Sequence, residues 1–159
     1  MEPRIESIRQ KLLIGERLTF SFSGNRTREL WQGFMPRRRE ITNAVGTDLY
    51  SIEVYPPRFF DAFDPEAKFE KWAAVEVTGF DNIPDGLETL TIRAGLYAVF
   101  LHRGPASEAI ITYTYIFQTW LPASEFKLDQ RPHFAVMGEK YKNEEPDSEE
   151  EIWIPISPG

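Results

Sequence analysis

Two short stretches set a carboxylate and an indole at alternating positions, a spacing that could do binding chemistry. In Glu151-Ile152-Trp153-Ile154-Pro155-Ile156 the isoleucines alternate with Glu151, Trp153 and Pro155, and in Trp72-Ala73-Ala74-Val75-Glu76-Val77 the set Ala73, Val75, Val77 alternates with Trp72, Ala74 and Glu76. A strand sends successive side chains to opposite faces, so each stretch separates into an apolar face and one carrying Glu and Trp. With the isoleucines turned toward helices, Glu151, Trp153, Trp72 and Glu76 share the other face of the sheet. Ring faces around a partly desolvated carboxylate suit an amphipathic organic cation. Tyr55, Tyr113, Tyr97 and Phe59 are candidate ring walls for the same site. The plainer alternative stands beside this one: both carboxylates as ordinary exposed sheet residues, both indoles as a seal between packed units.

The elements that must position these residues occur twice. Trp31-x-x-Phe34-Met35-Pro36 and Phe117-x-x-Trp120-Leu121-Pro122 share one pattern of aromatic, apolar and proline positions. A strand-like run precedes each phrase and two follow it, at offsets of 117 − 31 = 86, 133 − 49 = 84 and 150 − 71 = 79. This predicts strand-helix-strand-strand written twice, over about residues 5–80 and about 87–157 of a single domain 1–159. The fold class is therefore α+β, an antiparallel sheet with two main helices on one face. The two units pack about a pseudo-twofold axis, and their seam is a natural cleft.

Residue by residue, Leu12 to Phe22 reads as a strand bent at Gly15-Glu16, and Thr27 as the N-cap of a helix kinked at Pro36 and closed by Gly46. Strands follow at Leu49 to Tyr55 and Lys71 to Val77, with Leu87 to Ile92 a strand or strand extension. The second unit gives a strand at Leu96 to His102, a helix from Ser107 to Leu121, and strands at His133 to Glu139 and Glu150 to Ile156. Arg58 to Pro65, with Phe59, Phe60 and Phe63, reads as an insertion absent from the second unit, either a flap on the core edge or a lid over the seam. Residues 139–149 read as a polar acidic loop.

Composition bounds the chemistry. A 42% hydrophobic, 14% aromatic chain of 159 residues is globular and long enough for a core without staples. It has no Cys, which excludes thiol catalysis, disulfides and the usual structural zinc sites. The net charge of −7 favours cations over nucleic acid, and Arg37-Arg38-Arg39 reads as a solvated cluster. No basic leader or membrane-length apolar run is present, so the expectation is a cytoplasmic protein with no membrane or direct nucleic-acid partner. His102 and His133 lack spaced ligand partners and read as structural or exposed. No phosphate loop, dinucleotide fingerprint, metal motif or nucleophile elbow appears, so no metal, cofactor or catalytic residue is assigned.

Together, Gly95-Leu96-Tyr97-Ala98-Val99-Phe100, His102-x-Gly104-Pro105, Trp120-Leu121-Pro122 and the closing Glu151 to Ile156 resemble the GyrI-like domain, met also as the effector-binding domain of AraC-type and multidrug-responsive bacterial regulators. Leu30-Trp31, Phe34-Met35-Pro36 and Trp72 to Val77 are similar to a stand-alone branch of that family. The resemblance implies a pocket along the pseudo-twofold seam, walled by aromatics around an acidic residue, that binds lipophilic cationic small molecules. By position it assigns the acid to Glu151, beside Trp153, with Glu76 as a looser counterpart. It also leaves open a hydrolase of strained electrophilic compounds and a protein partner, as in gyrase-inhibiting relatives, or a homodimer. With no DNA-binding domain in the sequence, control of transcription by this chain alone is not expected.

Overall fold

Elements run in the order β1 (Arg4–Ile8), β2 (Lys11–Ser21), α1 (Thr27–Phe34), β3 (Leu49–Val54), β4 (Lys68–Val77), β5 (Glu88–Ile92), β6 (Gly95–Arg103), α2 (Ala109–Tyr115), β7 (Phe126–Leu128), β8 (His133–Met137) and β9 (Glu149–Pro158) in a computed structural model that describes residues 1–159. The fold is α+β. All strand pairs are antiparallel, in the order β1-β6-β9-β8-β3-β4-β2-β5, with β7 on β9.

The register carries the duplication. At the centre, Ser51 lies opposite Ala135, and 135 − 51 = 84; the same shift exchanges the pairs Leu49–Met137 and Glu53–His133. One strand out, Ser51 faces Ala73 and Ala135 faces Ile152, and 152 − 73 = 79. Buried Leu30 of α1 and buried Ile116 beyond α2 are related by 116 − 30 = 86. The pseudo-twofold axis therefore passes beside Ser51 and Ala135. The outer strands are exchanged: β1 leads into β2 but pairs with β6, and β5 leads into β6 but pairs with β2.

Alternation sorts the core into three parts. On one face Leu30 and Phe34 of α1 pack on Ile14, Ala73, Val75 and Val77, and Ile116 packs on Ala98, Phe100, Ile152 and Ile154. On the other face, Leu13, Tyr50, Ile52, Trp72, Ala74, Ile92, Tyr97 and Phe134 are buried with no helix over them. Ile8, Leu90 and Trp153 join that cluster, so residues from both ends of the sheet meet those of its middle: the sheet curls and closes on its own concave side.

Several expected boundaries shift. Thr27 is the first helical residue rather than the N-cap; its N–H and hydroxyl both donate to Asn25 Oδ1, at 2.9 and 2.6 Å. The first helix does not reach Gly46. At Pro36 the chain tightens into a 3-10 turn, Met35–Glu40, which ends in extended Ile41, because proline supplies no N–H to an α-helical ladder. The second helix widens into a π-turn over Ile116–Trp120 ahead of Pro122, and strands β1 and β7 lie where the sequence reading had none. The insertion is also corrected. Residues 55–67 and 138–148 both join the last two strands of a unit and are similar in length; they differ in composition, aromatic against acidic.

Candidate functional site

The helices stand over the flanking strands and leave the central pair β3–β8 bare between them. The result is a cleft of about 950 Å³. Small residues at the axis, Ser51 and Ala135, keep its floor low, and Leu49 and Met137 extend it. Trp31 and Met35 line it from the side of α1, and Tyr113 from α2. Tyr141, Lys142 and Asn143 of the 138–148 loop reach its rim.

Its polar groups come from the helical-face parity of the strands. Carrying the β8–β9 register on by one residue sets Glu150 beside Met137. Lys71 lies opposite Glu53, and its ammonium donates to Glu53 Oε2. Glu53 is thus covered, its side chain only 8% exposed and the Lys71 chain 16%. Glu150 lines the cleft with neither a hydrogen bond nor an ion pair, and burial raises its carboxyl above the usual range. His102 and Lys71 act against that rise, and Glu53 adds to it. The Tyr113 hydroxyl is pushed well up, first by burial and then by Glu53 and Glu150. His102 sits behind Glu150 in the register and bridges β6 to α2: Nε2 donates to the Pro105 carbonyl at 3.0 Å and Nδ1 accepts from the Thr112 hydroxyl at 2.8 Å.

Beyond the floor at Ser51 and Ala135, the β3–β8 pair continues to Glu53 and His133, where the protein's own rings pack. Phe60 of the 55–67 loop stacks on Phe117 at 5.1 Å and on His133 at 5.6 Å, with Tyr55 edge-on to both Phe60 and His133. Burial, with a smaller push from Arg131, lowers the His133 imidazole to about 3. Phe22, Phe59, Phe63 and Phe69 continue this aromatic cluster outward.

Of the residues expected from sequence to form the site, only Tyr113 lines the cleft. Glu151, Trp153, Trp72, Glu76 and Tyr97 lie on the opposite face, where Trp72 and Tyr97 are buried in the concave cluster and Trp153 packs against it. There Trp153 stacks on Phe134 at 5.2 Å, its N–H donates to Glu151 Oε1 at 3.2 Å, and Arg4 both covers the indole and donates to Glu151 Oε2 at 2.9 Å. Trp72 is held in the same way, with its N–H on Glu70 at 3.2 Å and Arg17 over the ring. Glu76 takes Lys11 at 3.4 Å and the Tyr50 hydroxyl at 3.3 Å. Fully buried Tyr97 donates to the Pro132 carbonyl. The recurring Glu-and-Trp spacing is therefore a structural clasp. The two copies are not symmetry mates either, since the offset of 152 − 73 = 79 carries Ala74, not Trp72, onto Trp153. Tyr55 and Phe59 belong to the aromatic plug.

Sequence reading does not single out Glu150 or Lys71 as site residues and leaves Glu53 a weaker candidate, because its face depends on the register of its strand. The expected offset of 150 − 71 = 79 already paired Lys71 with Glu150, and the small residues Ser51 and Ala135 were the sign of a floor between the units.

Comparison with known proteins agrees with this architecture. The transcriptional regulator BrlR of Pseudomonas aeruginosa is 25% identical over 146 residues, 91% of this chain; the chain spans about half of that relative, 51%. Among solved structures, SAV2435 bound to tetraphenylphosphonium superposes with a TM-score of 0.71 at 16% identity, covering 99% of this chain and 94% of that one. The EcmrR C-terminal domain gives 0.72 at 14% identity, covering 99% and 98%. At these identities the structural likeness establishes the fold. The family model described as the GyrI-like small molecule binding domain matches residues 1–157, and the chain belongs to that family.

Proposed function

We propose that residues 1–159 act as one binding domain for lipophilic organic cations, held in the cleft between the two units with Glu150 as counter-charge. The observation that carries this reading is the unpaired Glu150 carboxylate in a wall of Trp31, Met35, Leu49, Met137 and Tyr113. Desolvating a lone carboxylate is costly, and a cation that enters the cleft relieves that cost in its bound state. Ring faces and polarisable methionines add attraction that does not depend on one ligand shape. The tetraphenylphosphonium in the SAV2435 structure is a ligand of this chemical class, which supports extending the family's small-molecule role to cations here.

Tetraphenylphosphonium titrated into the protein quenches tryptophan fluorescence, and the neutral triphenylphosphine oxide binds at least about tenfold more weakly. Trp31 is the one tryptophan lining the cleft, so Trp31→Phe removes most of the quench. Glu150→Gln weakens cation binding about five- to a hundredfold, while Glu151→Gln leaves it unchanged. Equal affinities for the cation and the neutral oxide, or an unchanged affinity in Glu150→Gln, would rule the reading out.

A further inference from the structure

We propose that Lys71 and Phe60 are built-in occupants of the half of the cleft that the pseudo-twofold axis relates to the Glu150–Trp31 half, and that Lys71 thereby restricts the cleft to ligands carrying one positive charge. This rests on reading the cleft as a cation site. The symmetry is explicit. The offset of 117 − 31 = 86 carries Trp31 onto Phe117, 133 − 49 = 84 carries Leu49 onto His133, and 150 − 71 = 79 carries Lys71 onto Glu150. At the open end Trp31 and Leu49 face the cleft, and Glu150 has no partner. At the other end Phe117 and His133 are covered by one flat ring, Phe60, stacked at interplanar angles of 16° and 19°. The carboxylate of that end, Glu53, is covered by one ammonium, that of Lys71.

A ring on an aromatic wall and an ammonium on a buried carboxylate are the two contacts an aromatic cation would make. The chain supplies both at one end and neither at the other. The ring arrives from a loop and is 41% exposed, while the ammonium belongs to β4 and is fixed by strand pairing. Lys71, which lines the cleft, also cancels Glu53 behind it, so a dication entering the cleft would place its second charge against an ion pair of zero net charge. Lys71 is in this sense a specificity residue, and it counts charges.

Ethidium and propidium test this, because both carry the same phenanthridinium and propidium adds a quaternary ammonium arm. Dye fluorescence titrations of the wild-type protein give propidium no advantage over ethidium. Lys71→Met frees Glu53, and the propidium-to-ethidium affinity ratio rises about tenfold. Glu53→Gln combined with Lys71→Met removes the acid and returns the ratio to its wild-type value. A ratio unmoved in Lys71→Met, or one that stays high in the double variant, overturns the proposal while leaving the cation reading standing. A wild-type protein that binds neither dye sinks the cation reading and the proposal with it. Phe60→Ala gives an arm that does not require the Lys71 variants to fold. The bared Phe117 face takes a neutral ring, so N-phenyl-1-naphthylamine binds several-fold tighter than to wild type; an unchanged affinity counts against the built-in occupant.

Discussion

His133 is a buried base enclosed by rings, and that placement makes stability depend on pH in a defined direction. Its imidazole titrates near 3 in the fold, because burial opposes the charged form, against about 6.5 in an unfolded chain. Between those values the unfolded chain binds more protons than the folded one. Stability is therefore fully retained above about pH 6.5 and falls as the pH drops, by up to about 1.4 kcal/mol per unit. Between about pH 6.5 and 4.5 most carboxylates remain largely ionised and the fall belongs mainly to His133; Glu150, whose carboxyl burial raises, takes up its proton earlier in the fold than in the unfolded chain and works against it. His133→Phe keeps a flat ring against Phe60 and Phe117 without the titrating nitrogen. Urea titrations at pH 6.5 and pH 4.5 show the wild type losing stability across this window and the variant losing little; equal losses in both would refute the assignment.

At the scale of elements, Gly15 shows how closely strand and strand must approach. A Cβ at this position would lie 2.0 Å from the Ala73 carbonyl oxygen and 2.7 Å from Ala74 Cα, both backbone atoms that cannot step aside. Gly15 is also the last β2 residue paired with β5, next to the bend expected at Gly15-Glu16. Gly15→Ala should cost about 3 kcal/mol, visible as a lowered melting temperature, because overpacking here moves the β2–β4 ladder and with it the sheet under α1. A melting temperature within a degree or so of wild type would contradict the close approach. Such elements were largely legible in the sequence. Period-two runs gave most strands, the repeated Trp/Phe-to-Pro phrase gave both helices, and the strand register reproduces the 84 and 79 offsets. The candidate site was not, for a physical reason: alternation tells that Glu151 and Trp153 share a face and that Glu150 and Ile152 share the other, but not which face the sheet closes by curling. That choice depends on where β1 and β5 pair, far along the chain, and β1 gave no strand signal.

Across the whole molecule, exchange of the outer strands joins the two units in one sheet, and the prediction is that they fold as one body. β1 is covalently part of the first unit and pairs only with β6 of the second, and the concave cluster mixes Leu13, Tyr50, Ile52 and Trp72 with Tyr97 and Phe134. Separating the units would bare that cluster and strip β3 of β8, leaving open edges on chains whose cores are small for their length. Neither residues 1–86 nor residues 87–159 alone should then show a cooperative thermal transition by circular dichroism. The cut falls in the turn between β4 and β5, so no strand is interrupted. Mixed together, the two fragments should regain a cooperative transition, since every sheet contact between the units is then available again. A fragment that melts cooperatively by itself would mean that each half closes its own core. The cleft would then be a joint between two independent bodies, and its width would vary with their docking. A shared core would instead hold the floor at Ser51 and Ala135 rigid and keep Glu150 at a fixed depth in the cleft.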